Sequence, residues 1–227
     1  MNTTEFSALL VLATATSFTP GPNTTLSTAL AANFGLRRAM RFVWAVPVGW
    51  GLLFALCAAG VGALVVAVPL LRWSILIGGV GYLLWLAWRL SGSRSLSTVN
   101  AERLNVTFAQ GVMLQFLNIK AWMLALSIVA GWVAGRPDAL ERFVQVFPLL
   151  LGFAFFSNFT YAAVGSLLRH WLAGPVVDGQ PTGGRLLVFN RCMALALVLT
   201  AVWMLMNGLS GGLAGGGLHG PVAGGQP

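Results

Sequence analysis

Charged residues are scarce in this sequence. Only 8% of the 227 residues are Asp, Glu, Lys or Arg, whereas 57% are hydrophobic; soluble proteins average about 25% charged residues. So few polar groups cannot cover so much apolar surface, which excludes a soluble enzyme, a nucleic-acid-binding domain and a disordered regulator. The composition is typical of an integral membrane protein, whose partner is the lipid bilayer.

Acidic residues are the scarcest charged group, with 5 Asp and Glu against 13 Lys and Arg and a net charge of +8. The basic residues lie at the ends of apolar runs rather than in one continuous stripe. This pattern indicates a membrane protein facing an anionic inner leaflet and does not indicate a nucleic-acid partner.

Cysteine and histidine are also nearly absent. Cys57 and Cys192 lie in separate apolar runs, which excludes a disulfide framework and a Cys-x-x-Cys metal site. The apolar runs contain no His-Glu-x-x-His or Gly-x-Ser-x-Gly motif and no pair of acids. We therefore predict that the protein is not an enzyme and holds no metal or other cofactor.

Long apolar runs dominate what is present. A membrane-crossing helix needs about 20 mostly apolar residues, and we predict six such spans in one transmembrane domain over residues 1–210. The predicted spans are 6–34, 42–68, 73–90, 106–134, 143–168 and 186–207. The Gly-rich end, residues 211–227, is predicted to be a flexible tail.

The arginines predict the orientation of these spans. Nine arginines lie in or beside the first, third and fifth connections, and three lie in the second and fourth. The positive-inside rule places the nine in the cytoplasm, so both termini should face outward across the inner (plasma) membrane. No Lys or Arg precedes the first apolar run, so we expect no removable signal peptide.

Six spans divide into three and three around the polar segment 91–105. An odd number of spans in each half places the second half inverted relative to the first, as in many secondary transporters. The first span of each half is interrupted, by PGPN at residues 20–23 and by LNIKAW at residues 117–122. Interruptions at corresponding positions of two halves indicate a substrate site near the middle of the membrane.

The first interruption, residues 20–23, is chemically severe. Its two prolines lack a backbone N–H and disturb the preceding turn, and lipid cannot satisfy the backbone groups that are freed. The helix that restarts there could direct its N-terminal dipole at a carboxylate. The alternative is a kinked helix whose hydroxyls bond to its own carbonyls. The predicted binding and hinge residues are Thr19, Pro20, Gly21, Pro22 and Asn23, with Thr16 and Thr24 as cavity lining.

Lys120 lies in the middle of the fourth span, where a lysine costs roughly 2.5–3.5 kcal/mol. It must therefore contact protein or water, because the middle of a span leaves little reach for snorkelling. We predict that Lys120 and Asn118 bind the substrate and that Gln115 lines the cavity. Asn158 and Tyr161, from a polar patch in the fifth span, are further lining candidates. Each amide alone could instead make a hydrogen bond between helices.

These motifs resemble the lysine-exporter (LysE) superfamily, and most closely its homoserine/threonine-resistance branch (RhtB), over about residues 5–207. The similar segments are TPGPN, GLRRA, GGVGYLLWLAW and FAQGVMLQFLNIKAW, and the last carries over Gly111, Asn118 and Lys120. Ile119 stands where the family has proline, so we expect a shallower second break. The resemblance implies export of amino acids or related metabolites across the inner membrane, usually by proton antiport.

The leading hypothesis is a secondary exporter of amino acids or their derivatives that works by alternating access. Its substrate would be a small zwitterion, with the carboxylate at Lys120 and the ammonium at hydroxyls and carbonyls of residues 19–23. The alternatives are a passive channel for small metabolites and a metal-ion transporter of the same broad superfamily. The sequence leaves open which substrate and which coupling ion are used, and whether the chain forms a homo-oligomer.

Overall fold

The computed structural model describes residues 1–92, 106–177 and 180–215, and these are almost entirely helical. The helices are α1 (Thr3–Phe18), α2 (Pro22–Phe34), α3 (Leu36–Ala58), α4 (Val61–Ala67), α5 (Pro69–Ser91), α6 (Phe108–Leu117), α7 (Ile119–Ile128), α8 (Ala139–Ala173) and α9 (Gly184–Gly215). A π-helical turn, Val129–Val133, continues α7. A short antiparallel pair, Val176–Val177 with Gln180–Pro181, joins α8 to α9.

The break between α1 and α2 falls at the predicted residues. Helix α1 ends at Phe18, and α2 restarts with Pro22 in its first turn. A proline is well suited to that position, because its missing N–H would have no partner there and its φ is already helical. The hydroxyl of Thr24 accepts a hydrogen bond from the Gly21 N–H at 2.9 Å. The PGPN motif therefore ends one helix and begins another.

The second break is sharp, although no proline is present. The helical segments on either side of Asn118 are bent by 69°. Asn118 ends α6 in an extended conformation, and its Oδ1 accepts the backbone N–H of Lys120 at 3.2 Å. An asparagine side chain can take the place of the missing backbone acceptor at a helix start. The expectation of a shallow break, based on Ile119, is therefore wrong.

The region predicted as one span over residues 42–68 is divided. Helix α3 already begins at Leu36 and ends at Ala58, and α4 follows after a turn at Gly60. Gly60 has a φ of +90°, in the left-handed region that residues other than glycine rarely adopt. The sequence shows Gly60 only as one glycine among several in an apolar run, so the turn was missed.

Among the described residues, four helices are long and apolar enough to cross a membrane on their own, namely α3, α5, α8 and α9. The bent pair of α6 with α7 and its π-helical turn adds a fifth candidate span. Most of the apolar surface of α8 faces outward, since only 22% of its most apolar window is buried inside the protein, against 61% for α3. The outward-facing apolar surface indicates a multi-pass membrane protein in contact with lipid.

Helix α2 occupies the centre of the bundle. It packs against α8 most extensively and also contacts α3 and α9. Eleven of its 13 residues are buried, although its first turns carry Asn23 and several hydroxyl groups. A polar helix start is thereby held inside an apolar bundle.

The end of the chain differs in part from the prediction of a tail over residues 211–227. Helix α9 continues to Gly215, so the first five of these residues are helical. The rest of the predicted tail lies outside the described residues, as does most of the polar segment 91–105.

Candidate functional site

A cavity opens where the two interrupted helical pairs meet α3 and α8. Its polar lining residues are Thr16, Ser17, Thr19, Asn23, Thr24, Asn118, Lys120, Ser157 and Asn158. Gly21 and Pro22 complete the side formed by the first break. Val46 and Trp50 of α3, Leu124 and Ile128 of α7, and Leu150 of α8 contribute apolar surface.

Two helices begin at this cavity. The first residues of α2, Pro22 and Asn23, line it, and so do the cap and second residue of α7, Asn118 and Lys120. The N-terminal end of each helix carries a partial positive charge. The ammonium of Lys120 adds a full charge at the same place. Positive charge is therefore concentrated where these two helix starts line the cavity.

The threonine hydroxyls of the first break donate hydrogen bonds to backbone carbonyls three or four residues earlier in the sequence. Thr16 Oγ1 donates to the Leu12 carbonyl at 2.7 Å, and Thr19 Oγ1 donates to the Ala15 carbonyl. Thr24 Oγ1 donates to the Gly21 carbonyl at 3.1 Å. Such contacts are the ones expected from the alternative interpretation of the break, a kinked helix whose hydroxyls bond to its own carbonyls. They coexist with the cavity, because the same three residues line it.

Asn23 is held by a reciprocal pair of amide hydrogen bonds with Gln115. Asn23 Nδ2 donates to Gln115 Oε1 at 2.9 Å, and Gln115 Nε2 donates to Asn23 Oδ1 at 3.0 Å. Gln115 is fully buried and also donates to the Gly111 carbonyl at 3.2 Å. It therefore lies behind Asn23 rather than on the cavity surface where we predicted it. The pair joins the start of α2 to α6.

Gly111, which the resemblance carried over, lies where α6 approaches α3. A Cβ added there would lie 2.7 Å from the Cβ of Ala45 and 3.0 Å from Phe42. Such contacts are too short, so a larger residue would push the two helices apart. Gly111 is thus a packing residue that brings Gln115 within reach of Asn23.

Asn158 belongs to the cavity wall and is fixed from two sides. Its Oδ1 accepts the hydroxyl of Ser27 at 2.9 Å, and its Nδ2 donates to the Ala154 carbonyl at 2.8 Å. Tyr161, one turn further along α8, does not line the cavity. Its hydroxyl donates to the Phe18 carbonyl at 2.9 Å and so satisfies a backbone group at the end of α1.

Of the two remaining predicted residues, Lys120 lines the cavity and Pro20 does not. Lys120 is partly exposed and lines the cavity, and its ammonium makes no hydrogen bond or ion pair with any described residue. Pro20 is exposed and does not line the cavity. It lies in the break between α1 and α2.

Sequence reasoning missed Trp50 as a cavity residue. Trp50 lies in the middle of α3 and is 8% exposed. Tryptophans of membrane proteins are enriched at the membrane interfaces. The position of Trp50 in the middle of a long apolar run is the sequence feature that could have indicated a cavity residue. Ser157 was noted only as part of a polar patch and also lines the cavity.

An ion-pair cluster joins the start of α1 to the connection before α8. Arg142 contacts Glu5 at 3.1 Å and Asp138 at 2.8 Å, and Arg136 lies 3.6 Å from Glu5. A backbone hydrogen bond from Asn2, followed by the bond from Arg142, lowers the pKa of Glu5. The hydrogen bond from Arg142 also lowers the pKa of Asp138.

Arg142→Gln should lower the thermal stability of the purified protein at neutral pH by a few degrees. Carboxyls with lowered pKa values stabilise the fold above their ordinary pKa range, and this stabilisation is lost as the pH falls through the lowered values. The difference from wild type should therefore disappear in acid. Arg136→Gln is the control, because its side chain is 43% exposed and its contact is longer. Equal effects of the two changes at neutral pH would contradict the prediction.

An apolar helical bundle with a polar cavity at two helix breaks is typical of secondary transporters. The LysE type translocator family matches residues 14–208 of this chain. The cysteine/O-acetylserine efflux proteins of Escherichia coli (strain K12) and Shigella sonnei (strain Ss046) are each 30% identical over 173 residues, which cover 74% of this chain and 86% of theirs. No solved structure matches the chain significantly.

This chain belongs to the LysE type translocator family. It is therefore a membrane transporter of the amino-acid efflux type and not an enzyme. The resemblance to the LysE superfamily drawn from the sequence motifs is confirmed.

Proposed function

We propose that this protein exports small neutral amino acids or their derivatives across the inner membrane by alternating access. The observation that carries the proposal is the meeting of two helix starts and Lys120 at one cavity. A zwitterionic substrate would place its carboxylate at Lys120 and at the start of α2. Its side chain would contact the apolar wall formed by Val46, Leu124 and Ile128.

The substrate proposal draws on the related efflux proteins. Their names give cysteine and O-acetylserine as substrates, and both are small amino acids with an uncharged side chain. The polar cavity residues here are hydroxyls, amides and one lysine, which suits the same kind of molecule. Cysteine and O-acetylserine are thus the first substrates to test.

The architecture that we propose is a six-span inverted repeat. The pair α1 and α2 is the sixth span, equivalent to the bent pair α6 and α7 in the other half. Both pairs have a short break near the cavity, and both restart with a helix that begins there. Rocking of one half against the other would expose the cavity alternately to the two sides.

Export against a gradient needs an energy source, and we propose proton antiport. Either the Lys120 ammonium carries the proton, or the charge of the substrate couples its movement to the proton gradient. The described cavity lining offers no carboxylate for this purpose. Replacement of Lys120 by arginine, considered in the Discussion, distinguishes the two routes.

Efflux from proteoliposomes tests the proposal. Vesicles loaded with labelled cysteine or O-acetylserine should release it in a saturable manner, and faster when an inward proton gradient is imposed. Saturation with proton dependence separates a carrier from a passive channel. Release that is linear in concentration and insensitive to pH would overturn the carrier proposal.

The orientation has its own test. A reporter inserted in segment 91–105 should be active in the cytoplasm, and a reporter fused to the C-terminus should be active outside. The reason is the nine-to-three distribution of arginines between alternate connections. If segment 91–105 and the C-terminus were both cytoplasmic, the number of spans between them would be even rather than three, which would end the inverted-repeat proposal.

A further inference from the structure

The acids of the described residues lie at one end of the bundle. Asp138 and Glu141 lie at the start of α8, and Glu5 forms an ion pair with an arginine of the same helix start. The other two acids of the sequence, Glu102 and Asp178, lie outside the described residues. The described carboxylates are therefore gathered where α1 and α8 begin.

The opposite end of the bundle, where α8 ends and α3 and α9 begin, is basic. It lies about 50 Å away from the acids, because α8 has 35 residues and each adds about 1.5 Å. A Cβ added at Gly35, just before α3, would lie 3.5 Å from Nη1 of Arg169, near the end of α8, so both belong to this end. We call it the basic end. No described carboxylate forms an ion pair with its residues Arg37, Arg38, Arg169, Arg185 and Arg191.

One guanidinium of the basic end is held in place by a tryptophan. The Cζ atom of Arg185 lies 5.0 Å from the centre of the Trp171 ring, and its Nη1 donates to the Trp171 carbonyl at 3.4 Å. The Arg185 side chain is exposed, and its other N–H groups make no hydrogen bond with a described residue. A guanidinium that is fixed in this way presents its remaining N–H groups as a planar fork, which matches the oxygens of a phosphate.

Apolar side chains continue from this arginine along the outside of the bundle. Leu167 and Trp171 are exposed and lie one turn apart on α8, and Val188 is exposed on α9. Arg185 and Arg191 each lie three residues from Val188, so both are its neighbours on the helix surface. Arg191 is exposed, and it makes no hydrogen bond or ion pair with a described residue. Two cations thus adjoin an apolar surface that faces the lipid.

We propose that the junction of α8 and α9 binds an anionic phospholipid, with its phosphate at Arg185 and Arg191 and an acyl chain along Leu167, Trp171 and Val188. The exposed apolar side chains select a lipid over a soluble anion. The arginines select an anionic headgroup, because a choline or ethanolamine would place a second cation beside them. The proposed orientation of the chain puts this site in the cytoplasmic leaflet, but the inference does not depend on the export proposal.

Three probes test the site on the purified full chain in an uncharged detergent. They are phosphatidylglycerol, phosphatidylcholine, and glycerophosphoglycerol, which is the headgroup without acyl chains, and the readout is the ligand-induced rise in Tm. Phosphatidylglycerol should bind at least about tenfold more tightly than either of the others. Equal protection by phosphatidylcholine, equal protection by the soluble headgroup, or no protection by phosphatidylglycerol would each overturn the inference.

Arginine variants separate a defined site from general attraction to the basic end. Arg185→Gln and Arg191→Gln should each weaken phosphatidylglycerol binding about tenfold, because a hydrogen bond to a charged group is lost. Arg191 has no described contact, so its replacement should leave the fold intact. Arg38→Gln is the matched control, since Arg38 is an exposed arginine of the same end but lies on α3. Its affinity should stay within about twofold of wild type, and a loss equal to that of Arg191→Gln would overturn the site.

A double-mutant cycle tests the role of the Trp171 ring. Trp171→Leu keeps an apolar side chain but removes the ring on which the Arg185 guanidinium stacks, so phosphatidylglycerol binding should weaken severalfold. The same change made in Arg185→Gln should have little further effect, because the two residues act together. Full and independent losses in the double variant would contradict the proposed arrangement of the phosphate site.

Discussion

Replacing Lys120 with methionine is expected to abolish efflux while the protein still inserts into the membrane. The change removes the cation that lines the cavity and the roughly 2.5–3.5 kcal/mol that a lysine costs in the middle of a span. Efflux should fall by at least about a hundredfold, since a charge-assisted contact to the carboxylate is lost. Efflux from proteoliposomes, normalised to reconstituted protein, measures the effect.

Lys120→Arg then separates binding from coupling. A guanidinium keeps the positive charge but does not release its proton in proteins. If Lys120 only binds the carboxylate, Arg should retain binding and some proton-driven efflux. If the proton moves on and off the ammonium, Arg should bind substrate yet not respond to a pH gradient.

Ser127→Ala is the matched control on the same helix. The Ser127 side chain is exposed on the outside of α7, and its hydroxyl donates only to the Met123 carbonyl at 2.7 Å. Its efflux should equal that of wild type. A Lys120→Met protein that exports at the wild-type rate would make Lys120 structural, and the site would then rest on the first break alone.

Converting Pro20-Gly21-Pro22 to three alanines should also abolish efflux. Proline costs a helix interior about 3 kcal/mol relative to alanine, so its removal at both positions favours one continuous helix through the break. The first turn of α2 would then bond to the preceding turn. The N–H groups of Asn23 and Thr24, which have no backbone acceptor among the described residues, would no longer be available to the cavity. Insertion should remain normal, and efflux should fall to the background of empty vesicles.

Pro148→Ala is the control for this change. Pro148 lies inside α8 and is exposed, and it does not line the cavity. Its replacement should leave efflux intact and raise Tm slightly, because α8 would regain a backbone hydrogen bond. Efflux near the wild-type level in the triple-alanine protein would show that the first break is only a kink.

The sequence predicts those parts of the fold that local chemistry determines. Apolar runs mark the long helices, and the prolines at 20 and 22 mark the first break to the residue. Lys120 and Asn118 stand out because polar residues are costly inside a span. The turn at Gly60 and the 69° bend at Asn118 depend on one backbone conformation and one side-chain cap, which an apolar pattern does not encode.

The site was predictable only in part, because a cavity is a tertiary feature. Asn158 is far from Thr16 and Asn23 in sequence, and only the packing of α2 against α8 brings it to the same cavity. Gln115 and Tyr161 were reasonable candidates by residue type, yet each bonds to a partner beside the cavity instead. The sequence did not indicate Trp50 as a cavity residue, because tryptophans of membrane proteins so often lie at the membrane–water interface.

The reciprocal amide pair of Asn23 and Gln115 has a consequence for how this protein can diverge. Each side chain donates one hydrogen bond to the other and accepts one from it, and replacing Asn23 alone would leave Oε1 of the fully buried Gln115 without its donor. Loss of both amides together would leave nothing unpaired. Positions 23 and 115 should therefore change in concert among homologues, although 92 residues separate them, and such covariation would trace the contact between α2 and α6 through evolutionary time.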